Sequence, residues 1–259
     1  AERSYAGVTF EVFDADGAGW SYRWRVGDSS WSRVIAADPA LRLRHGRFDP
    51  RVEDAPVPRG LRMDPEAGGL YIVQGWLPLS SSMRSAWTAS GVEARWPLPP
   101  RAWIVESSAE GAAALAGLAP VRAVVPYHPG LRLDPALWPG EGRAGAPGGP
   151  TRYSVMLTSD ATPARDRLVA RIEAAGGSVV GRHAGPYRLE AMLTAEQLYA
   201  AAGWPEVLFI DAWTPLATDM DLARATPARL DRELSWDDEA RDALDALVDR
   251  QTVLTRISA

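Results

Sequence analysis

The chain has no cysteine and no lysine. Without cysteine there is no disulfide and no thiolate metal site. Its three histidines, His45, His128 and His183, stand far apart in sequence. No pair of them falls at metal-ligand spacing. No apolar run is long enough to cross a bilayer as a helix, so no membrane span is expected. Nucleophile-elbow, His-Glu-x-x-His, phosphate-loop and dinucleotide-binding patterns are also missing. Gly145 to Gly149 is glycine-rich, but Pro147 interrupts it and no lysine follows. Asp14-Ala15-Asp16-Gly17 has the first letters of a calcium loop and none of the later ligands, so it reads as a turn. These gaps lead to the expectation of a protein without enzymatic activity, metal or cofactor. A net charge of −5 disfavours a nucleic-acid or anionic-membrane partner. All 28 positive charges are arginine, as a GC-rich bacterial genome would produce.

What is present is a pattern stated twice. Leu70-Tyr71-Ile72-Val73-Gln74 opens one statement and Tyr153-Ser154-Val155-Met156-Leu157 the other. Each is followed by a helix-like segment that ends at glycine, Gly91 in the first and Gly176-Gly177 in the second. Two strand-like runs come next: 92–96 and 102–105, then 178–180 and 187–191. An alanine-rich helix near 109–118 or 194–202 leads to a proline-led strand, 120–125 or 205–210. Tyr71 and Tyr153 lie 82 residues apart, and Gly91 and Gly177 lie 86 apart, as do Val121 and Val207. The order strand, helix, strand, strand, helix, strand predicts two tandem ferredoxin-like (βαββαβ) domains in an α+β chain. Such a unit covers one sheet face with helices. The other face is left for solvent, a partner, or its own twin, and the sequence leaves these three open.

Around the repeats the chain divides further. Residues 1–40 alternate apolar and polar side chains (Val8, Phe10, Val12; Tyr22, Trp24, Val26) and predict a β-rich segment. Residues 41–68, rich in arginine, aspartate and proline, predict an extended connector lying on a surface, with His45 solvated among arginines. Repeat one then covers 69–136, a glycine- and proline-rich linker 137–150, and repeat two 151–218. Residues 219–259 predict a helix capped by Ser235 with Asp237 and Asp238 in its first turn, followed by a β-prone tail. The 11 tryptophans read as core or interface anchors.

The runs 70–74, Gly91-Val92, 101–105, Leu118-Ala119-Pro120-Val121 and Val125-Pro126-Tyr127 resemble propeptides of bacterial subtilisin-like serine proteases. So do Tyr153-Ser154-Val155, Ala174-Ala175-Gly176-Gly177, Leu198, Trp204-Pro205-Glu206-Val207 and Ile210, over roughly residues 45–220. The resemblance implies an intramolecular chaperone and inhibitor whose open sheet face packs on the protease. The segment after its last strand would lie in the substrate cleft. The partner would be a subtilisin-like protease domain encoded downstream in the same precursor. The Asp-Thr-Gly, His-Gly-Thr and Gly-Thr-Ser-Met-Ala elements of such an enzyme are absent here. The start at Ala1 rather than methionine fits a trimmed N-terminus and leads to the expectation of export. Expected partner-binding residues are Trp103, Val105, Tyr187 and Leu189 on the sheets, with Thr255, Arg256, Ile257, Ser258 and Ala259 in the tail. The cleft-entering tail is either 215–225 or 252–259. A recruited protein–protein scaffold is the alternative function. A small-ligand sensor is a third, for which only Gly176-Gly177 and Gly181 qualify as ligand loops.

Overall fold

A computed structural model of the chain describes residues 2–15, 19–64, 68–140, 149–182 and 187–214. The fold is mixed α+β, dominated by antiparallel strands. Residues 1–213 form one compact unit. The helix and tail expected at 219–259 lie outside the described residues. Among the described residues no helix is long and apolar enough to cross a membrane.

The first sheet has the order β1(Glu2–Tyr5), β2(Val8–Ala15), β3(Gly19–Val26), β4(Ile35–Ala37). Its alternation works as the period of a strand requires. Val8, Phe10, Trp20 and Tyr22 turn inward and pack with Leu77 and Met83. Glu11 and Arg23, directly paired across β2 and β3, turn outward and form an ion pair.

A short hairpin follows, β5(Leu41–Leu43) and β6(Gly46–Phe48). The next segment runs β7(Gly69–Gly75), α1(Ser81–Ala89), β8(Glu93–Leu98), β9(Ala102–Ser107), α2(Ala109–Ala116), β10(Val121–Pro126), with sheet order β10-β7-β9-β8. A second segment runs β11(Thr151–Leu157), α3(Thr162–Ala174), β12(Ser178–Arg182), β13(Arg188–Leu193), α4(Ala195–Ala202), β14(Val207–Ala212), with sheet order β12-β13-β11-β14. All the strand pairs in these sheets are antiparallel.

Local chemistry fixes the helix ends. Ser80, Ser108 and Thr194 each accept a backbone N–H of the first turn, and Thr194 completes a capping box with Gln197. At the other end, α1 and α3 stop the same way. Gly91 (φ 78°) and Gly176 (φ 82°) take the left-handed conformation. The N–H groups of Gly91 and Val92 then reach the carbonyls of Thr88 and Trp87, and those of Gly176 and Gly177 reach Glu173 and Ile172. This is the Schellman pattern, which glycine enters without steric cost. Gly176→Ala is expected to lower the unfolding free energy by about 1–2 kcal/mol, read from the midpoint of a urea titration.

Each segment builds one core between its sheet and its helices. In the first, Tyr71, Val73, Val105 and Val121 meet Trp87 of α1 and Ala112 and Leu115 of α2. In the second, Tyr153, Val155, Leu189, Ala191 and Ile210 meet Leu168 and Ile172 of α3 and Leu198 and Ala201 of α4. The opposite sheet faces enter a further core, and here the connector departs from expectation. Residues 41–61 are a strap that lies on the first segment with most of its charged residues exposed but buries Leu41, Phe48, Ala55, Val57 and Leu61. Leu41, Phe48, Ala55 and Val57 join Leu70 and Ile72 of β7 and Ala102 and Ile104 of β9 in one cluster with Leu208 of β14. Expected as one extended run, the strap is instead the β5–β6 hairpin, a turn and a 3-10 helix at Arg59–Leu61. Its apolar side chains, few and spaced irregularly, gave no periodic signal of a buried face.

A tryptophan–arginine cluster ties the first sheet, the strap and the first segment together. Arg122 donates to both oxygens of Asp49, at 2.6 and 2.7 Å, and to Gln74 Oε1 at 2.6 Å. It stands 4.7 Å from the Trp20 ring centroid, and Arg101 stands 5.0 Å from it. The Trp20 indole N–H donates to the Trp76 carbonyl at 2.9 Å. The Arg122 guanidinium holds the Asp49 carboxyl below its ordinary value.

Candidate functional site

Of the four sheet residues expected to bind a partner, the structure puts three on the helix side. Val105 and Leu189 are fully buried under the helices, and Trp103 packs at the edge of the same core with Arg84 beside its ring. The residues facing away from the helices are Ala102 and Ile104. Strand periodicity separates the two sets but does not say which set meets the helices. Tyr187 is half-buried, its ring edge-on to Trp96 at 5.3 Å between centroids. It joins the two segments instead of standing free. Thr255, Arg256, Ile257, Ser258 and Ala259 lie outside the described residues.

The faces away from the helices have different fates. In the first segment that face is covered by the strap. In the second segment, cover by the described residues reaches the β11–β14 side. There Met156 and Leu208 enter the strap cluster, and Phe209 lies under Arg44 at 5.0 Å and against His45. Arg44 also bonds Asp134 and Asp211. The β12–β13 side carries a different surface. Arg152 of β11 pairs with Glu190 and lies 4.0 Å from the centroid of Trp213. Arg188 donates to Ser154 at 2.5 Å. Met192 is half-buried and Val180 is 47% exposed. This half-face mixes paired charges with apolar groups and lies beside the end of β14, where the chain passes through Trp213.

A buried arginine holds the two segments in register. Arg132, in a 3-10 turn after β10, is 1% exposed. Its Nε donates to the Tyr127 carbonyl at 2.9 Å and one terminal nitrogen donates to the Trp204 carbonyl at 3.0 Å. The Tyr127 hydroxyl donates to the Leu208 carbonyl. Burial lowers the Arg132 pKa to about 10, so it stays charged at neutral pH.

Two histidines close the strap. His45, expected to be solvated, instead stacks on Trp138 at 5.2 Å and bonds the Leu133 carbonyl at 2.6 Å. His128 accepts the Met63 N–H on Nδ1 at 2.9 Å, which fixes the proton of the neutral ring on Nε2. Burial, then Arg62 and Arg132, lower its pKa to about 4. Above pH 6.5 the neutral ring is right in both the folded and unfolded states. Between pH 6.5 and 4 the unfolded chain binds a proton that the folded chain refuses, so stability falls as pH falls through that window. Discounted for partial exposure, the expected loss is about 1–2 kcal/mol. His128→Asn keeps an acceptor for Met63 and should flatten that part of the stability–pH curve measured by urea unfolding.

At the seam a cleft of about 680 Å³ opens between the β8–β9 end of the first segment and the α4–β14 turn of the second. Gly68, Gly69, Gly91 and Gly203 contribute bare backbone to it, and Glu93 and Glu106 are its charged groups among the described residues. A smaller recess shares Glu106 and Pro205 with the cleft and holds Glu206, which is 6% exposed. The expected ligand loops do not line it. The residues that do were missed because they are drawn from separate turns. Among the described residues, no group of acidic and histidine side chains is arranged to hold a metal. No protein-family model matches the chain.

Proposed function

We propose that this protein is a non-catalytic pro-region, made of two ferredoxin-like units, that assists the folding of a subtilisin-like serine protease domain and inhibits it. The observation that carries the reading is the sheet order of the two segments. The orders β10-β7-β9-β8 and β12-β13-β11-β14 both place the first and third strands of a segment at the centre, with its fourth strand next to the first. Two helices packed on one sheet face of each segment also support the ferredoxin-like reading. The resemblance noted in the sequence falls on β7, β9, β10, β11 and β14 and on the ends and body of the helices between them.

The reading gives the two units different tasks. The first has its outer face closed by the strap and serves as a rigid support. The second keeps the half-face around Arg152, Val180 and Met192, beside the end of its last strand. A protease docked there would meet a preorganised surface, and the chain leaving Trp213 would run from it toward the substrate cleft. The partner is the domain encoded downstream in the precursor, and the pair acts outside the cytoplasm.

Co-expression with the polypeptide encoded directly downstream, followed by size exclusion and a peptidase assay, tests this. Co-elution with suppressed hydrolysis is the expected result, and Met192→Arg combined with Val180→Arg should weaken inhibition at least about tenfold. Co-elution with no peptidase activity after the chain is stripped off would overturn the protease reading and leave a structural scaffold.

A further inference from the structure

The β5–β6 hairpin is held at its two ends by different chemistry. At its base Leu41 and Phe48, directly paired, are buried in the strap cluster. At its tip the Arg44-His45 turn reaches the second segment through groups that carry charge or can acquire it. Arg44 bonds Asp134 and Asp211 and lies 5.0 Å from the centroid of the Phe209 ring. Arg44 is exposed, so these ion pairs hold weakly. His45 makes the closer fit. It is half-buried, stacks on Trp138 at 5.2 Å and stands edge-on to Phe209 at 6.2 Å between centroids.

The ring fits this place only while neutral. The Leu133 carbonyl can only accept, so the 2.6 Å bond to it fixes the proton of the neutral ring on Nε2. The other nitrogen, Nδ1, is buried and has no hydrogen-bond partner among the described residues. A second proton turns Nδ1 into a buried donor, which is costly unless water reaches it. The charged groups around the ring do not meet that need. Arg44, on the same turn, repels an imidazolium. Asp134 attracts it, but its Oδ2 already takes Arg44 and its Oδ1 the Ala136 N–H. Asp211 of β14 is likewise taken by Arg44. The Trp138 face attracts a cation but supplies no acceptor for the new N–H. Burial, with Arg44 adding to it and the Leu133 bond and Asp134 opposing, holds the His45 pKa below its ordinary 6.5.

We propose that protonation of His45 in mild acid lifts the tip of the β5–β6 hairpin off the second segment while its apolar base stays in place, which uncovers Phe209 and extends the open surface of that segment to β14. The sign follows from the proton count. The lifted tip binds a proton that the docked tip refuses, so docking is favoured above pH 6.5 and is lost as pH falls below it. The device is independent of the pro-region reading, since it is a movement within this chain alone.

With four phenylalanines and three histidines in the chain, NMR can follow the tip directly. The full chain carrying fluorophenylalanine is titrated from neutral pH into acid. The Phe209 and Phe48 fluorine signals and the His45 Cε1 proton are followed, each identified by its loss in Phe209→Leu, Phe48→Leu or His45→Gln. The Phe209 signal should move to the position of solvent-exposed fluorophenylalanine with the same midpoint as His45, below pH 6.5. Phe48, at the base, should not move in that range. In His45→Gln, whose amide keeps a donor for Leu133 and does not titrate, the Phe209 signal should show no pH dependence there. If that variant does not fold, the unsubstituted chain decides by itself. Titration of His45 with Phe209 unmoved, a Phe209 shift that persists in His45→Gln, or Phe48 moving together with Phe209 would each overturn the proposal.

Discussion

Phe48→Ala is expected to lower the unfolding free energy by about 3–5 kcal/mol, the cost of emptying a buried aromatic site. Phe48 is 3% exposed and sits opposite Leu41 in the β5–β6 hairpin. Both side chains pack against Leu70 and Ile72 of β7 and Ile104 of β9. Removing the ring opens a cavity and leaves Leu41 to hold that end of the hairpin. The variant should therefore also expose part of the sheet face, seen as increased binding of a hydrophobic dye before unfolding begins. Val52→Ala is the matched control. Val52 belongs to the same strap but is 79% exposed, and its loss should change stability by less than about 0.5 kcal/mol. If both substitutions cost equally little in urea unfolding, the strap is not part of the core.

Arg132→Ala is expected to cost about 3 kcal/mol or more, since a hydrogen bond from a charged donor contributes roughly 1.5–3 kcal/mol and Arg132 makes two. Relief of the guanidinium's own desolvation offsets part of this. Arg132→Met separates the contributions. It restores most of the volume and removes the buried charge, yet it leaves the carbonyls of Tyr127 and Trp204 without that donor. A loss of about 2–4 kcal/mol is expected to persist. Wild-type stability in Arg132→Met would show that packing, not hydrogen bonding, holds the segments together at this point. The effect should appear as one cooperative transition, because residues 1–213 form one compact unit.

Much of the local structure was legible in the sequence. The run Leu70–Gln74 lies within β7, and Tyr153–Leu157 within β11. The glycines expected to end helices do so at Gly91 and Gly176, with positive φ. Trp20 is the interface anchor that its type suggested. The candidate site was far less legible. Val105 and Leu189 were expected at a surface and are fully buried. Glu93 and Glu106 drew no notice, because residues 13 apart in sequence become neighbours only when β8 and β9 pair in register.

The sequence by itself determined most of the strands and helices of the two segments, 69–126 and 151–212, where the helices stop, and the absence of disulfides and thiolate sites. These follow from periodicity, capping groups and composition, which act within a few residues of one another. Only the tertiary structure decided which face of each sheet meets the helices and what covers the other. It also placed His45 against Trp138, Arg132 between two backbone carbonyls, and the glutamates of β8 and β9 at an open cleft. An alternating strand is equally consistent with either face being buried. The choice is made by partners distant in the chain, through the apolar area that their packing removes from water.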